Sequence, residues 1–226
     1  MIGCIVQARM SSTRLPGKVL KNLDDENTLL NYVLFQLKES KLIEKIVIAT
    51  STLSEDDVIA DFAKNENIDC YRGNLNNVLD RFYNCAKIFS FSKIVRITAD
   101  NPLIDPTIID QVIEKFESDD SDYASNCTER TFPNGTEVEI FSFNSLEYAW
   151  LNSKDEYEQE HVTPYFYKNP DHFKISVLKN SIDLSNFKWT VDTLDDFLFV
   201  QKIISKINKR PILISDILKI IDDIQI

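Results

Sequence analysis

The chain has 226 residues, 43% of them hydrophobic, and a formal net charge of −11 at pH 7. Its length suits one sizeable α/β domain, and its apolar runs are too short and too often interrupted by charges to span a bilayer. The acidic charge argues against a surface that coats nucleic acid, and the first six residues lack the basic flank of a signal peptide, so we expect a cytoplasmic location.

Strands and helices alternate in the first half of the chain. Four short runs predict strands: Ile2–Val6, Lys45–Ala49, Ile68–Tyr71 and Lys93–Thr98. Apolar residues recur at helical spacing after each strand, within 30–37, 58–62, 78–89 and 109–116. Ser54 and Asp105 are predicted to cap the second and fourth of these helices. This alternation predicts a mostly parallel sheet flanked by helices on both faces.

The pattern is less regular beyond Asp119. Three further strands are predicted at Glu137–Phe141, Phe173–Val177 and Trp189–Val191. Thr193, with Asp196 three residues later, begins a capped helix, and a last helix is predicted over 215–221. The simplest interpretation is one domain over residues 1–226, with 119–172 as an inserted subregion.

The segment from Gln7 to Lys18 is the strongest chemical feature. It follows a predicted strand and combines hydroxyl residues, a Pro16-Gly17 turn and the cations Arg9, Arg14 and Lys18 without an acid. Ligands of open α/β sheets bind at the carboxyl ends of strands, where exposed backbone N–H groups hold phosphate oxygens. Arg14 offers paired donors and Lys18 a mobile charge. The segment by itself predicts an anion-binding loop, which the two aspartates described next sharpen to a triphosphate site with a metal; the alternative is a solvated basic loop.

Two aspartates follow predicted strands. Asp100 comes just after Lys93–Thr98, and Asp192 comes just after Trp189–Val191. Mg²⁺ prefers oxygen ligands and commonly uses one or two carboxylates together with substrate phosphates. Both aspartates suit that role. Alternatively, Asp100 caps a turn before Pro102 and Asp192 belongs to the helix start; spacing alone does not choose.

Six segments together resemble the motifs of cytidylyltransferases that activate sugars. The nearest resemblance is to the spore-coat polysaccharide biosynthesis type, which is related to the CMP-KDO and acylneuraminate synthetases. The resemblance extends from residue 1 to about residue 200, and the first motif is the most specific. The segments are Val6–Lys18, Arg72-Gly73 with Val78–Arg81, Arg96–Pro102, Pro133–Glu139, Glu160–Tyr165 and Trp189–Thr193.

The resemblance implies a Rossmann-like, glycosyltransferase-A-like nucleotidyltransferase fold, a homodimer, and Mg²⁺ held by Asp100 and Asp192. Arg14, Lys18 and these two aspartates would be the catalytic residues. The implied nucleotide-binding residues are Ala8, Arg9, Arg14, Lys18, Gly73, Asn77, Asp80, Arg81, Thr98, Ala99 and Asp100. The implied acceptor-binding residues are Asn134, Gly135, Glu137, Glu139 and His161.

The expected reaction is attack of an acceptor oxygen on the α-phosphate of CTP, with release of pyrophosphate, for surface polysaccharide or glycan synthesis. The partners are therefore CTP and a small anionic sugar or polyol acceptor, such as a nonulosonic acid, a sugar phosphate or a polyol phosphate. Residues 119–172 are expected to decide the acceptor and the dimer contact. Asn134, Thr136 and Leu194 depart from the family pattern and leave the acceptor open.

Three other interpretations remain open at this stage. The chain could use another nucleoside triphosphate, or it could be a catalytically silent nucleotide-binding protein. It could also be a glycosyltransferase that uses a nucleotide-sugar, although Asp100 is followed by Asn101-Pro102 and does not form an Asp-x-Asp metal motif.

Glu137 and Glu139 alternate along one predicted strand, so their side chains would lie on the same face and point either at acceptor hydroxyls or into solvent.

Overall fold

A seven-stranded sheet forms the centre of the molecule in the computed structural model, which describes residues 1–224. The order across the sheet is β3-β2-β1-β4-β6-β5-β7. The first four strands are parallel, whereas β6 runs antiparallel to both β4 and β5. The strands are β1 (Ile2–Gln7), β2 (Lys45–Ser51), β3 (Asp69–Gly73), β4 (Lys93–Thr98), β5 (Tyr123–Ser125), β6 (Glu139–Ser142) and β7 (Ile175–Val177).

Helices cover both faces of the sheet, as the sequence predicts. Cys4 and Val6 of β1 pack in one buried cluster with residues of α1, α4 and α8, whereas Ile5 packs in a second cluster with α3 and α5. This split follows from the two-residue period of a strand. The helices are α1 (Leu29–Leu37), α2 (Asp57–Asn65), α3 (Val78–Ile88), α4 (Pro106–Ser118), α5 (Phe143–Asn152), α6 (Glu156–His161), α7 (Pro164–Lys168), α8 (Leu194–Lys206), α9 (Ile214–Leu218) and α10 (Ile221–Ile224).

The chain leaves β1 toward β2 on one side and later places β4 on the other side. A crevice therefore opens at the carboxyl end of β1, where ligands of open α/β sheets bind. Among residues 1–224, no helix is both long enough and apolar enough to cross a bilayer.

The predicted strand at Trp189–Val191 is wrong. The segment is extended but pairs with loops: the N–H groups of Trp189 and Thr190 donate to the carbonyl of Asn134 at 2.6 and 3.2 Å. The N–H of Val191 donates to the carbonyl of Asp100 at 2.9 Å. An apolar triplet indicates burial, but it does not reveal whether the hydrogen-bond partner is a strand.

Three other features differ from the prediction, apart from shifts of one or two residues at the ends of β1, β2, β3, β6 and β7. Ser54 begins a 3₁₀ turn and does not cap α2, which begins at Asp57. β5 lies inside a segment that reads as polar, and the last predicted helix is divided into α9 and α10. The caps at Asp105 and Thr193 are confirmed: Asp105 accepts from the N–H of Thr107 at 2.8 Å, and Thr193 forms a reciprocal capping box with Asp196.

Candidate active site

The loop after β1 folds back on itself. The carbonyl of Met10 accepts hydrogen bonds from the backbone N–H groups of Ser12 and Gly17, at 2.8 and 3.0 Å. Gly17 has φ of 67°, in the left-handed region that glycine adopts without strain. The backbone N–H of Met10 is anchored on Asp56 at 2.7 Å. The turn leads directly into a short 3₁₀ helix that begins with Lys18.

Lys18 joins three distant parts of the chain. Its Nζ lies 2.9 Å from Oδ2 of Asp100 and 3.3 Å from Oδ1 of Asp192, and it donates to the carbonyl of Val191 at 2.6 Å. The Lys18 side chain is 10% exposed, so this ammonium is held in the interior. The fold thus brings together the two aspartates that the sequence proposes as metal ligands, and both carboxylates contact Lys18.

Arg14 completes this cluster from the solvent side. Its Nη2 lies 2.9 Å from Oδ1 of Asp192, and its side chain is 62% exposed. Lys18 and Arg14 carry two positive charges and Asp100 and Asp192 carry two negative charges, so the four groups sum to zero. We refer to these four residues as the charge cluster.

A cavity of about 220 Å³ lies beside the charge cluster. Its size and polar lining suit a small anion rather than a polymer. The basic loop therefore borders a defined cavity. The lining residues are Gln7, Ala8, Arg9, Ser11, Ser12, Thr13, Arg14, Lys18, Val19, Thr98, Ala99, Asp100 and Asp192.

A second, larger cavity of about 680 Å³ shares Thr98, Asp100 and Asp192 with the first. The two cavities therefore meet at the aspartates of the charge cluster. Four of the five predicted acceptor-binding residues line it: Asn134, Glu137, Glu139 and His161.

Glu139 lies in the wall of the larger cavity and is 5% exposed. It accepts a hydrogen bond from the hydroxyl of Tyr123 at 2.7 Å and is ion-paired with Arg96. Burial and the adjacent carboxylate raise the pKa of Tyr123 well above its ordinary value, so this hydroxyl remains a donor. The alternative of a solvated face is therefore wrong for Glu139.

Glu137 is half-buried and is held by its neighbours. It accepts from the backbone N–H of Gly135 at 2.8 Å and from Nδ2 of Asn101 at 3.3 Å, and it is ion-paired with Arg130. The two glutamates are thus already oriented, each by its own arginine. Both remain part of the cavity lining.

Gly135 supports the site through its backbone. Its φ is 106°, and a Cβ atom added to it would lie 2.4 Å from the backbone nitrogen of Thr190. The close approach lets the neighbouring carbonyl of Asn134 hold Trp189 and Thr190, just before Asp192. Gly135 is outside the lining of the larger cavity.

The segment 73–81, predicted to bind the nucleotide, lines neither cavity. Asn77 caps α3, and Asp80 accepts from Nε1 of Trp150 at 2.9 Å. Arg81 is fully buried; burial, then the nearby Arg9, lowers its pKa to about 10. Its Nη1 donates to the carbonyl of Asn74 at 2.9 Å, while Nε and Nη2 have no partner among the described residues.

Several residues that line the larger cavity are absent from the sequence-based predictions, including Tyr123, Cys127, Tyr157 and Tyr167. Cys127 is a poor nucleophile there, because burial, together with Glu139 and Glu137, raises the pKa of its thiol to about 12. The only sequence signal for these four residues is that each lies between two of the segments that resemble the family's motifs. Neither residue type nor spacing distinguishes them from core or surface residues.

The fold and the charge cluster define a nucleotidyltransferase-like protein: a parallel half-sheet, a basic loop after β1 and two aspartates at the crevice. A family model described as cytidylyltransferase matches residues 3–219. The chain belongs to this cytidylyltransferase family, and the resemblance inferred from the sequence is confirmed.

Individual relatives agree with this assignment. The chain is 34% identical to a cytidylyltransferase structure from Leptospira borgpetersenii, with a TM-score of 0.94 over 98% of this chain and 94% of that one. It is 32% identical to the spore coat polysaccharide biosynthesis protein SpsF of Bacillus subtilis, over 92% of this chain and 88% of SpsF.

A CMP:2-keto-3-deoxy-manno-octonic acid synthetase complexed with CTP shares the fold. Its TM-score is 0.65 at 13% identity, over 91% of this chain and 98% of that one. The predicted nucleotidyltransferase fold is therefore confirmed.

Proposed function

We propose that this protein transfers a cytidylyl group from CTP to an oxygen of a sugar-class acceptor and releases pyrophosphate. The observation that carries the proposal is the meeting of two cavities at Asp100 and Asp192. A small basic cavity suits a triphosphate, and a larger polar cavity suits an acceptor. Their junction is the place where the α-phosphate and the acceptor oxygen would approach each other.

The nucleotide belongs in the smaller cavity. Arg14 and Lys18 would bind the β- and γ-phosphates and stabilise the departing pyrophosphate, since charge develops there in the transition state. Arg9 adds a third cation to the same lining. The contact of the base with the segment 73–81 stays a prediction, because that segment lines neither cavity and Arg81 is fully buried.

Asp100 and Asp192 suit a magnesium ion. Both offer carboxylate oxygens at the junction of the two cavities, the donor type that Mg²⁺ prefers. Within residues 1–224, no group of three or more His, Cys, Asp or Glu side chains could hold a metal alone. The remaining ligands would therefore come from the triphosphate and water. When bound, Mg²⁺ would supply Lewis-acid polarisation of the α-phosphate.

The acceptor belongs in the larger cavity. Its volume of about 680 Å³ falls in the range of small-molecule sites. Glu137, Glu139, Asn134 and His161 would contact acceptor hydroxyls, and orientation against the α-phosphate would supply much of the rate. A nonulosonic acid, a sugar phosphate and a polyol phosphate are the candidate acceptors.

A homodimer, a single domain and a cytoplasmic location stay predictions.

The test is a pyrophosphate-release assay with Mg²⁺, run with CTP, UTP, ATP and GTP against acceptors of these three classes. We expect release with CTP and one acceptor class, and no release when the acceptor is omitted. Equal release with another triphosphate would contradict the cytidylyl assignment. Transfer from a nucleotide-sugar without pyrophosphate would instead establish a glycosyltransferase.

A further inference from the structure

Lys18 occupies the space between the two carboxylates that would hold a metal. Its Nζ bonds to Asp100 and Asp192 at 2.9 and 3.3 Å, and the carbonyl of Val191 fixes it at 2.6 Å. A single ammonium thus takes the position that a divalent cation needs in order to contact both carboxylates.

The electrostatics of the charge cluster oppose metal binding in this arrangement. Asp100 and Asp192 contribute two negative charges, and Lys18 and Arg14 contribute two positive ones, leaving a sum of zero. A divalent cation would approach a neutral cluster and meet a buried ammonium beside it, where repulsion is poorly screened. Arg14 contributes less to this opposition, because its side chain is 62% exposed.

We propose that Lys18 holds the metal position closed in the nucleotide-free protein and leaves it when a triphosphate binds. The metal and the triphosphate then bind together, and the metal alone binds weakly. This inference rests on the proposed function, because it takes the triphosphate to lie in the smaller cavity.

The structure provides a short path for this movement. Lys18 lines the smaller cavity itself, so its flexible stem can turn the ammonium from the carboxylates toward phosphate oxygens. In this movement the Lys18 ammonium loses its hydrogen bonds to the Val191 carbonyl and to the two carboxylates. It gains contacts with phosphate oxygens, which carry more negative charge. The movement also returns two negative charges to the metal position.

The coupling is reciprocal by thermodynamic linkage. A triphosphate that draws Lys18 away raises metal affinity, and a bound metal raises triphosphate affinity by the same factor. Departure of pyrophosphate removes the partner of Lys18, so the ammonium returns and metal affinity falls again. Lys18 thus controls access of the metal to its position and also binds phosphate.

The test measures Mn²⁺ binding to the full chain without nucleotide, by electron paramagnetic resonance of free Mn²⁺. We compare the wild type with Lys18→Gln, which keeps a donor for the Val191 carbonyl and removes the charge. Lys18→Gln should bind Mn²⁺ at least about tenfold more tightly, because a buried like charge is gone. Lys21→Gln is the matched control, since Lys21 is an exposed lysine three residues after Lys18, and it should leave the Mn²⁺ affinity unchanged.

Equal Mn²⁺ affinity of the wild type and Lys18→Gln would overturn the proposal. If Lys18→Gln does not fold, Lys18→Met serves as the second variant, and equal Mn²⁺ affinity of Lys18→Met and the wild type likewise overturns the proposal. Calorimetric titration of the wild type with CTP and Mg²⁺ distinguishes failure of this inference from failure of the proposed function. Normal CTP binding with equal Mn²⁺ affinities defeats only this inference, whereas absent CTP binding defeats the proposed function with it.

Discussion

At the scale of single residues, the charge cluster is built by contacts that no local pattern encodes. Asp100 and Asp192 reach the same ammonium from segments far apart in the chain, and Arg14 covers one of them from solvent. Each of the four groups neutralises another. Removing one charge therefore changes the electrostatic environment of the other three.

Asp100→Asn tests the carboxylate at the junction of the two cavities. The substitution keeps the shape and removes the charge, so cytidylyl transfer should fall by about a hundredfold or more, as for the loss of other preorganised charged groups. The measurement is the rate of pyrophosphate release at saturating Mg²⁺ and CTP. Asp195→Asn is the control, because Asp195 is exposed in the first turn of α8; near-normal activity of Asp100→Asn would refute the assigned role.

Arg14→Ala tests the phosphate contact. Loss of a charge-assisted hydrogen bond, worth about 1.5–3 kcal/mol, should weaken CTP binding roughly tenfold to a hundredfold. Calorimetry measures this effect, with Lys21→Ala as the control, because Lys21 is an exposed cation close to the same loop. An unchanged dissociation constant for CTP would remove Arg14 from the triphosphate site.

All four residues of the charge cluster are named from the sequence. Arg14 and Lys18 stand beside Pro16-Gly17 directly after an apolar strand, and Asp100 and Asp192 each follow a short apolar run. The residues of the larger cavity could not all be found in this way. Tyr123 and Cys127 lie in or beside β5, a three-residue strand within a polar segment. Their roles depend on tertiary burial next to Glu139, which a local pattern does not show.

At the scale of elements, the site depends on a contact between two loops. The carbonyl of Asn134 binds Trp189 and Thr190, and this contact sets the position of Asp192 before α8. Gly135 allows the approach because a side chain there would collide with the backbone of Thr190. Thr193 and Asp196 then fix the start of α8 through the capping box.

Gly135→Ala should therefore damage both stability and activity. The left-handed backbone and the lost close approach should cost about 1–3 kcal/mol of unfolding free energy. Urea denaturation measures this cost, and activity of the remaining folded protein should also fall because Asp192 moves. Asn186→Ala, an exposed change in the adjoining loop, is the control. A Gly135→Ala protein with normal stability and turnover would contradict this account.

The long elements are predictable because they are buried on a regular period. β1, β2 and β4 lie within the sheet with helices on both faces, so their central residues are mostly apolar, with Arg96 of β4 as an exception. The segment Trp189–Val191 has the same appearance, yet its backbone partners are loops. The backbone partners of such a triplet are decided by tertiary structure.

At the scale of the whole molecule, acid should destabilise the protein through carboxylates whose pKa is depressed. Partial burial raises the pKa of Asp24, but hydrogen bonds from Tyr32 and from the backbone of Glu26 and Asn27 outweigh it and lower the pKa from 3.8 to about 2. A group with a depressed folded pKa contributes stability above its unfolded pKa, and this contribution is lost as pH falls through about 2.

The unfolding free energy should therefore fall as pH drops from about 4 toward about 2. Asp24→Asn should reduce the slope of this fall, because the amide does not titrate. Urea denaturation at a series of pH values measures both proteins. Asp25→Asn is the control next to it in sequence, and identical slopes for the wild type and Asp24→Asn would contradict the prediction.

The proposed function requires that the cavity beside the charge cluster bind the triphosphate of CTP. The most direct measurement is calorimetric titration of the wild-type protein with CTP, UTP, ATP and GTP, each with Mg²⁺. We expect CTP to bind at least about tenfold more tightly than the other three, a difference of roughly 1.4 kcal/mol. Absence of CTP binding, or tighter binding of another triphosphate, would contradict it.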